Sequence, residues 1–392
     1  MIVLDEAGAG KTVNLTDRQI ERLRKTDLVN ISVRGLEKFE LKPKRTVGAV
    51  HLGDGVAVVV QPKIKIARVL FMLGYATKPG FPEGEVAGVE AADLWPAVAE
   101  TLCRHATRAL EGGVLQGYAT EHTGSTVLRG RVRVGDQIAR RPGRMMPMEI
   151  TYDEYSIDTV ENRLLRAAVR KMLAVPGVSP KMCDRLRHIG NQLTGVSSLS
   201  RGAPLPTWQS HRLNARYEPA LRIAELVLRN LSFEAGAGGL PTASFVINME
   251  KVFENFVTVA LKEAWKSRPG TTEGQFSTTL DEGKQLSMKP DVVHREGTKT
   301  RIVVDAKYKL ESASGRYPNS DQYQMLAYCT ALNVHHAWLV YARGTQGEVT
   351  RNIRCTQITL HEYPLDLDVP PKELLGQIDR LANKAWELTA GN

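Results

Sequence analysis

Pro290-Asp291-Val292-Val293-His294 and Arg301-Ile302-Val303-Val304-Asp305-Ala306-Lys307-Tyr308 decide the reading of this chain. Both are rich in β-branched residues, Val292-Val293 in the first and Ile302-Val303-Val304 in the second, and the polar residues Arg295–Thr300 between them form a turn, so the pair predicts two neighbouring strands. Alternate side chains of a strand share a face. Asp305 and Lys307 therefore point the same way, while Val304 and Ala306 point into a packed layer. The short turn can bring Asp291 beside Asp305. Two carboxylates this close repel each other, and a divalent cation between them relieves the repulsion. Oxygen donors of this kind suit Mg²⁺ or Mn²⁺. A lysine at the same place can orient or help deprotonate an attacking water and offset the charge of a phosphate. Asp-x-Lys by itself is a common accident, and a cross-strand ion pair on a solvent face explains it equally well. The apolar residues before Asp305 argue against the accident. This is a core strand that ends in charges, and burying charges without a function is costly.

The flanking sequence adds candidates. Met249–Lys266 reads as a helix, because Val252/Phe253, Phe256/Val257, Ala260/Leu261 and Ala264/Trp265 recur at every fourth residue. Glu254 flanks that stripe, where it can reach a metal at the sheet edge. An ordinary boundary glutamate is the alternative, and Glu250, one turn earlier, is a competitor. Asp321–Ala331 is a second expected helix, on which Gln324 and Tyr328 share a face. Their amide and phenol can contact a phosphate, hold the lysine, or simply pack. Ala337–Tyr341 reads as a buried strand, Thr356–Leu360 as another strand and Lys372–Leu388 as a final helix. The order helix, hairpin, helix, strand predicts an α/β domain (α+β for the chain overall) with a mixed sheet flanked by helices.

Upstream of this domain, Ala235-Gly-Ala-Gly-Gly-Leu-Pro241 is the best linker in the chain and marks a boundary. Residues 1–118 read as a β-rich N-terminal domain, 119–240 as a basic, mainly helical middle region and 241–392 as the C-terminal domain. At the N-terminus, Thr16 or Asp17 caps a short helix over Arg18–Arg24, and Gly53-Asp54-Gly55 joins Val47–His51 to Val56–Gln61 as a hairpin. Ile66–Tyr75 turns helical, Lys78–Gly84 is a breaker-rich loop and residues 90–112 make an amphipathic helix. Gly8-Ala9-Gly10-Lys11-Thr12 imitates a phosphate-binding loop, but Asp5 stands where that motif needs glycine. Val13-Asn14-Leu15 is no helix start, so a glycine-rich turn is expected. In the middle, Arg129, Arg131, Arg133, Arg140, Arg141 and Arg144 form either a solvated surface or a phosphate-contacting patch. Asp158 and Glu161 have the spacing of a capping box, with Asp158 as the cap of a helix through Leu164, Leu165, Ala168, Val169, Met172 and Leu173 that ends at Pro176-Gly177. Tyr152–Leu165 as a whole is either a structural corner or a partner-docking element.

The composition is that of an ordinary globular protein, with a net charge of 52 − 43 = +9 that favours an anionic partner, nucleic acid before membrane. The longest apolar stretches, Val56–Val60 and Val69–Leu73, fall far short of the roughly 20 residues of a membrane span. The N-terminus has no signal-peptide pattern. Four scattered cysteines, with no Cys-x-x-Cys pair, predict neither a thiolate zinc site nor a disulfide framework. A cytoplasmic protein is expected.

Glu254, Pro290-Asp291, Asp305-Ala306-Lys307 and Gln324-x-x-x-Tyr328 occur in the order seen in the PD-(D/E)XK nuclease superfamily, and the last element is similar to that of its RecB-like branch. Asn248–Val257, with Met249 and Phe253-Glu254, resembles a helix of McrC proteins, as does Asp321–Tyr328. Tyr152–Leu165 resembles a McrC signature, and Leu128-Arg129-Gly130-Arg131 and Pro62-Lys63-Ile64 fit the same family. The resemblance implies the nuclease subunit of a McrBC-type, modification-dependent (type IV) restriction system. It implies Glu254, Asp291 and Asp305 as metal ligands, Lys307 as the catalytic lysine and Gln324 and Tyr328 as supporting residues. It also implies a McrB-like AAA+ GTPase hexamer as partner. That partner would read 5-methylcytosine in double-stranded DNA and bind the GTP, with the N-terminal region of this chain docking to it. Two rivals stand beside it: a stand-alone repair-type nuclease, and a non-catalytic DNA-binding adaptor, against which the intact motif argues.

Overall fold

The computed structural model describes residues 1–77, 79, 94–175, 178–200, 203–235, 241–309, 319–342 and 347–389. The expected loop at Lys78–Gly84, the start of the helix at 90–93, the stop at Pro176-Gly177 and the interior of the linker at 236–240 lie almost wholly outside them. Contacts divide the chain into two compact units, Met1–Ala97 with Phe233–Asn392, and Val98–Ser232.

The first unit begins with strands β1 (Ile2–Asp5) and β2 (Lys11–Asn14), helix α1 (Asp17–Arg24), strands β3 (Val29–Gly35), β4 (Lys38–Pro43), β5 (Thr46–Gly53) and β6 (Val56–Gln61), and helix α2 (Ile66–Thr77). Gly8 lies in the turn between β1 and β2, its N–H donating to Asp5 O at 2.7 Å, and a strand follows where a phosphate-binding loop needs a helix. Thr16 caps α1 in a full capping box with Gln19. The β5–β6 hairpin turns through Gly53, Asp54 and Gly55, all at positive φ, which the two glycines adopt without steric cost. β2, β4 and β3 form one antiparallel sheet, and Leu23, Leu28, Leu41, Leu52 and Val58 fill the core around it.

Helix α3 (Leu94–Leu110) buries Val98, Leu102 and Ala106, as its spacing predicts. The second unit continues with β7 (Gly117–Ser125), β8 (Arg131–Val132), α4 (Val134–Arg140), β9 (Met148–Ser156), α5 (Val160–Leu173), α6 (Pro180–Gln192) and α7 (Glu218–Asn230). Its helical half matches the expectation: the stripe Leu164, Leu165, Ala168, Val169 and Met172 is buried, and α5 packs on α6 and α7. Its first half does not, because β7, β9 and β8 form an antiparallel sheet. The arginine crowd is partly paired within it. Arg141 Nε lies 3.0 Å and Arg140 Nη1 3.8 Å from the carboxylate of the buried Glu149, and Arg133 pairs with Asp136. The cap of α5 also differs from expectation. Thr159, not Asp158, accepts from the Asn162 N–H. Asp158 is engaged instead by Arg163 and Ser197, at distances of 2.6 to 2.8 Å. Asn162 donates to Leu115 O and Ile157 O at 2.7 Å each, so Tyr152–Leu165 forms a hydrogen-bonded corner.

The chain returns to the first unit through β10 (Leu231–Ala235) and β11 (Pro241–Asn248). β11 pairs antiparallel with β5, giving a sheet of order β1-β6-β5-β11-β10. The units therefore do not follow the three sequence segments: a strand from beyond the linker completes a sheet begun near the N-terminus. Helix α8 (Met249–Ala264) follows, capped by Asn248, with Phe256 set against the rings of Phe71 and Tyr75 on α2. Then come β12 (Thr271–Gly274), β13 (Thr278–Thr279), β14 (Ser287–Met288), β15 (Val292–Glu296), β16 (Lys299–Lys307), α9 (Asn319–Leu332), β17 (His336–Ala342), β18 (Val349–Asn352), β19 (Thr359–Leu365) and α10 (Pro371–Leu388). The strand expected over Thr356–Leu360 starts at Thr359. Thr356 and Gln357 lie in a bend that follows Cys355, which is at positive φ, a turn conformation that delays the strand.

Six of these strands form a mixed sheet of order β12-β15-β16-β17-β19-β18, parallel across β16, β17 and β19. On one face Val303, Leu339 and Tyr341 pack under Met325, Tyr328 and Cys329 of α9. The alternate residues Val304, Ala306, Trp338 and Val340 are buried on the other face, where α8 and α10 contact the sheet. This is the helix-flanked mixed sheet that the order of elements predicts.

Candidate active site

Register assembles the site. β15 and β16 pair antiparallel with Val292 opposite Val304. One further step along that register sets Asp291 opposite Asp305. Both are buried, at 6% and 2% exposure, where an unpartnered carboxylate is expensive. Asp291 is held from two sides: Ala306 N–H donates to Oδ2 at 2.9 Å, and Gln275 Nε2 donates to Oδ1 at 2.8 Å. Lys307 Nζ lies 2.5 Å from Asp305 Oδ2.

The electrostatics are those of an acidic cluster with too little positive charge. Burial, then the charge of Asp291, pushes the Asp305 carboxyl up to about 7, against the pull of Lys307. Asp291 is raised too, by burial, against its two donors and Lys307. Glu254 rises to about 7, first by burial and then by the charge of Asp291, with Lys307 again opposing. Burial disfavours the charge on Lys307, but Asp305, Asp291 and Asp321 outweigh it and hold the lysine protonated. Of the two roles expected for Lys307, orienting and neutralising charge therefore fits this arrangement better than taking a proton.

Glu254 and Glu250 are now distinguishable. Glu250 pairs with Arg45, whereas Glu254 feels Asp291 and Lys307 directly. Gln324 Nε2 donates to Tyr328 Oη at 2.7 Å, and burial followed by the charges of Asp305 and Asp291 keeps the Tyr328 phenol protonated. All six residues that the sequence singles out thus belong to one neighbourhood. The donor set is entirely oxygen, and its carboxyls are raised first by burial and, at Asp305 and Glu254, next by the charge of Asp291, which suits a hard divalent cation. Among the described residues no three acidic, histidine or cysteine side chains stand close enough to form a ready metal cage. Glu254 joins the pair of aspartates through its field.

Sequence reasoning missed three residues here. Gln275 carries no periodic signal. Asp321, 3% exposed at the start of α9, accepts from Lys309 Nζ at 2.6 Å and from Tyr341 Oη at 3.4 Å. Lys309 lies two residues beyond Lys307, so a repeated Lys-x-Lys alternation was the signal available for it.

A family model described as McrBC 5-methylcytosine restriction system component matches residues 41–342. A search of curated proteins returns no match. Among solved structures, the chain is similar to the refined half-complex from a tetradecameric assembly of Thermococcus gammatolerans McrB AAA+ hexamers with bound McrC. The identity is 16%, over 98% of this chain and 99% of that chain, with a TM-score of 0.62, which shows a shared fold. A cryo-EM structure of the Thermococcus gammatolerans McrBC complex matches at 17% identity over 67% of this chain and 87% of that one, with a TM-score of 0.42. Protein VC1899 from Vibrio cholerae matches at 12% identity over 82% and 58%, with a TM-score of 0.27.

Proposed function

The chain belongs to the McrBC 5-methylcytosine restriction system component family, and we propose that it is the nuclease subunit of such a system, hydrolysing DNA phosphodiesters at Asp291, Asp305 and Lys307. The observation that carries this reading is that two buried aspartates, Asp291 just before β15 and Asp305 in β16, stand side by side, with Lys307 against Asp305 and Glu254 in the field of Asp291. A fold has no structural need for that arrangement, since like charges in low dielectric destabilise it. A substrate phosphate brings more negative charge, which makes a divalent cation necessary rather than optional. Asp291, Asp305 and Glu254 would hold Mg²⁺ or Mn²⁺, which when bound supplies positive charge against the scissile phosphate.

The chain's own groups do the rest. Lys307, protonated on the same face as Asp305, offsets charge on the phosphate and orients the attacking water. Tyr328, kept as a neutral phenol and tied to Gln324, serves as a hydrogen-bond donor on the α9 side. Water attacks phosphorus in line, the bond to the 3′-oxygen breaks as the new P–O bond forms, and the proton that the water releases to solvent balances the one the 3′-oxygen takes up.

The partner follows from the family and from the similar assembly, in which McrC is bound to McrB AAA+ hexamers. In this reading a McrB-like GTPase reads methylated cytosine, binds GTP and is stimulated by this chain. No described helix is long and apolar enough to cross a membrane. With DNA as its substrate, this reading places the protein in the cytoplasm. The test is cleavage of methylated and unmethylated plasmid with Mg²⁺ and GTP, with and without the GTPase, for the wild type and Asp305→Ala. Cleavage that needs both proteins and is lost in Asp305→Ala is the expected result. Cleavage by this chain alone indicates an autonomous nuclease, and wild-type cutting by Asp305→Ala removes the assignment.

A further inference from the structure

We propose that Gln275 is a positioning residue for this centre, fixing the Asp291 carboxylate through a side-chain bond made possible by an unfavourable backbone. The inference rests on reading Asp291 as part of the nuclease site. Gln275 directly follows β12, whose last residue, Gly274, pairs with Val292. Its backbone N–H donates to Asp291 O at 2.9 Å and its Nε2 donates to Asp291 Oδ1 at 2.8 Å. With Ala306 N–H on Oδ2 at 2.9 Å, each carboxylate oxygen has a donor from outside the acidic pair, so the carboxylate is fixed from both ends. Only the NH₂ edge of an amide can face a carboxylate in this way, because its oxygen would be repelled.

Gln275 adopts φ +54°, in the left-handed region. Glycine and asparagine occupy that region readily, whereas glutamine does so rarely. A turn optimised for its own backbone would carry one of those residues. Glutamine differs from asparagine by one methylene, which is the reach needed to bond Asp291 while following this turn. A locally disfavoured residue whose side chain contacts an active-site group marks a requirement of the site. Donors behind a ligating carboxylate typically matter by about tenfold to a hundredfold in metal affinity.

The test uses the full chain and reads Mn²⁺ affinity by calorimetry, melting temperature, and kcat and KM for plasmid cleavage with the GTPase and GTP. Gln275→Asn suits the backbone but falls short of Asp291. It is expected to melt at or above the wild-type temperature, bind Mn²⁺ about tenfold more weakly and lose kcat with KM for DNA unchanged. Gln275→Glu, which sets an acceptor against Asp291, is expected to lose at least as much. Gln275→Gly, with a relaxed backbone and no amide, must reproduce the loss if Gln275→Asn does not fold. Wild-type Mn²⁺ affinity and kcat in a folded Asn or Gly variant overturn the proposal, as does a loss confined to KM. Asp305→Ala, run in parallel, separates the two readings. If it is inactive while Gln275→Asn behaves as wild type, only the positioning role falls. If the wild type neither binds Mn²⁺ nor cuts, both fall.

Discussion

Asp158 in the corner before α5 and Asp305 at the end of β16 are the same residue type in two of the most recognisable stretches of the chain, and their environments are opposite. Asp158 accepts from Arg163 Nε and Nη2 and from Ser197 N and Oγ. Arg163 first, and then Ser197, hold its carboxyl well below the ordinary carboxylate range. Asp305 is buried near a second aspartate, with one lysine on its own carboxylate, and is pushed up to about 7. An aspartate with every lone pair satisfied stabilises a corner. One left short of positive charge keeps a site ready for something the chain itself does not supply. The corner accordingly reads as structural, and the strand end as chemical.

Substitution should separate the two most strongly. Asp305→Asn is expected to cut cleavage by about a thousandfold or more, while the metal-free protein at pH 8 melts no lower than the wild type, because a buried repulsion has been removed. Asp158→Asn is expected to leave Mn²⁺ affinity unchanged and cost about 2 kcal/mol of stability, the scale of a lost charged hydrogen bond. Melting curves and plasmid cleavage on both variants check the pair. A strongly destabilised Asp305→Asn would erase the contrast.

Metal binding should depend on pH. At Asp305 and Glu254 protons compete with the cation around pH 7. Mn²⁺ affinity is therefore expected to rise about tenfold from pH 6 to pH 8, read by calorimetry. A flat profile would mean that neither carboxyl is raised.

Stability should respond to pH in opposite senses. At Asp305 and Glu254 the folded pKa of about 7 lies above the unfolded value near 4. Their contribution is full below about pH 4 and is lost as pH rises through about 7. The pKa of Asp158 is depressed on folding, so its contribution is present above the ordinary carboxylate value and lost as pH falls below it. Urea midpoints in EDTA should fall between about pH 5 and 8 in the wild type and fall less in Asp305→Asn. An unchanged slope in the variant would assign the effect to other groups.

The smallest effect is expected at the edge of the site. Tyr328→Phe keeps the packing under α9 and removes one phenol that accepts from Gln324. A loss of about threefold to tenfold in kcat, with stability within about 0.5 kcal/mol, is expected. A loss as large as that of Asp305→Asn would make the phenol a direct participant.

What could be read in advance follows from local rules. A strand's two-residue period put Asp305 and Lys307 on one face, and a helix's four-residue spacing put Gln324 beside Tyr328. The cap of α1, which fell to Thr16 of the two candidates the sequence offers, and the buried stripe of α5 depend on neighbours within a turn or two. Tertiary structure decided whatever depends on partners distant in sequence. It set Arg45 beside Glu250 and Glu254 in the field of Asp291, and took Asp158 from the cap by offering it Ser197, 39 residues away. It joined β11 to β5 across the middle of the chain, and brought the amide of Gln275 to Asp291, 16 residues on. Periodicity fixes which face a side chain occupies, but the charge and hydrogen-bond state of that side chain is set by groups that only the folded chain brings near.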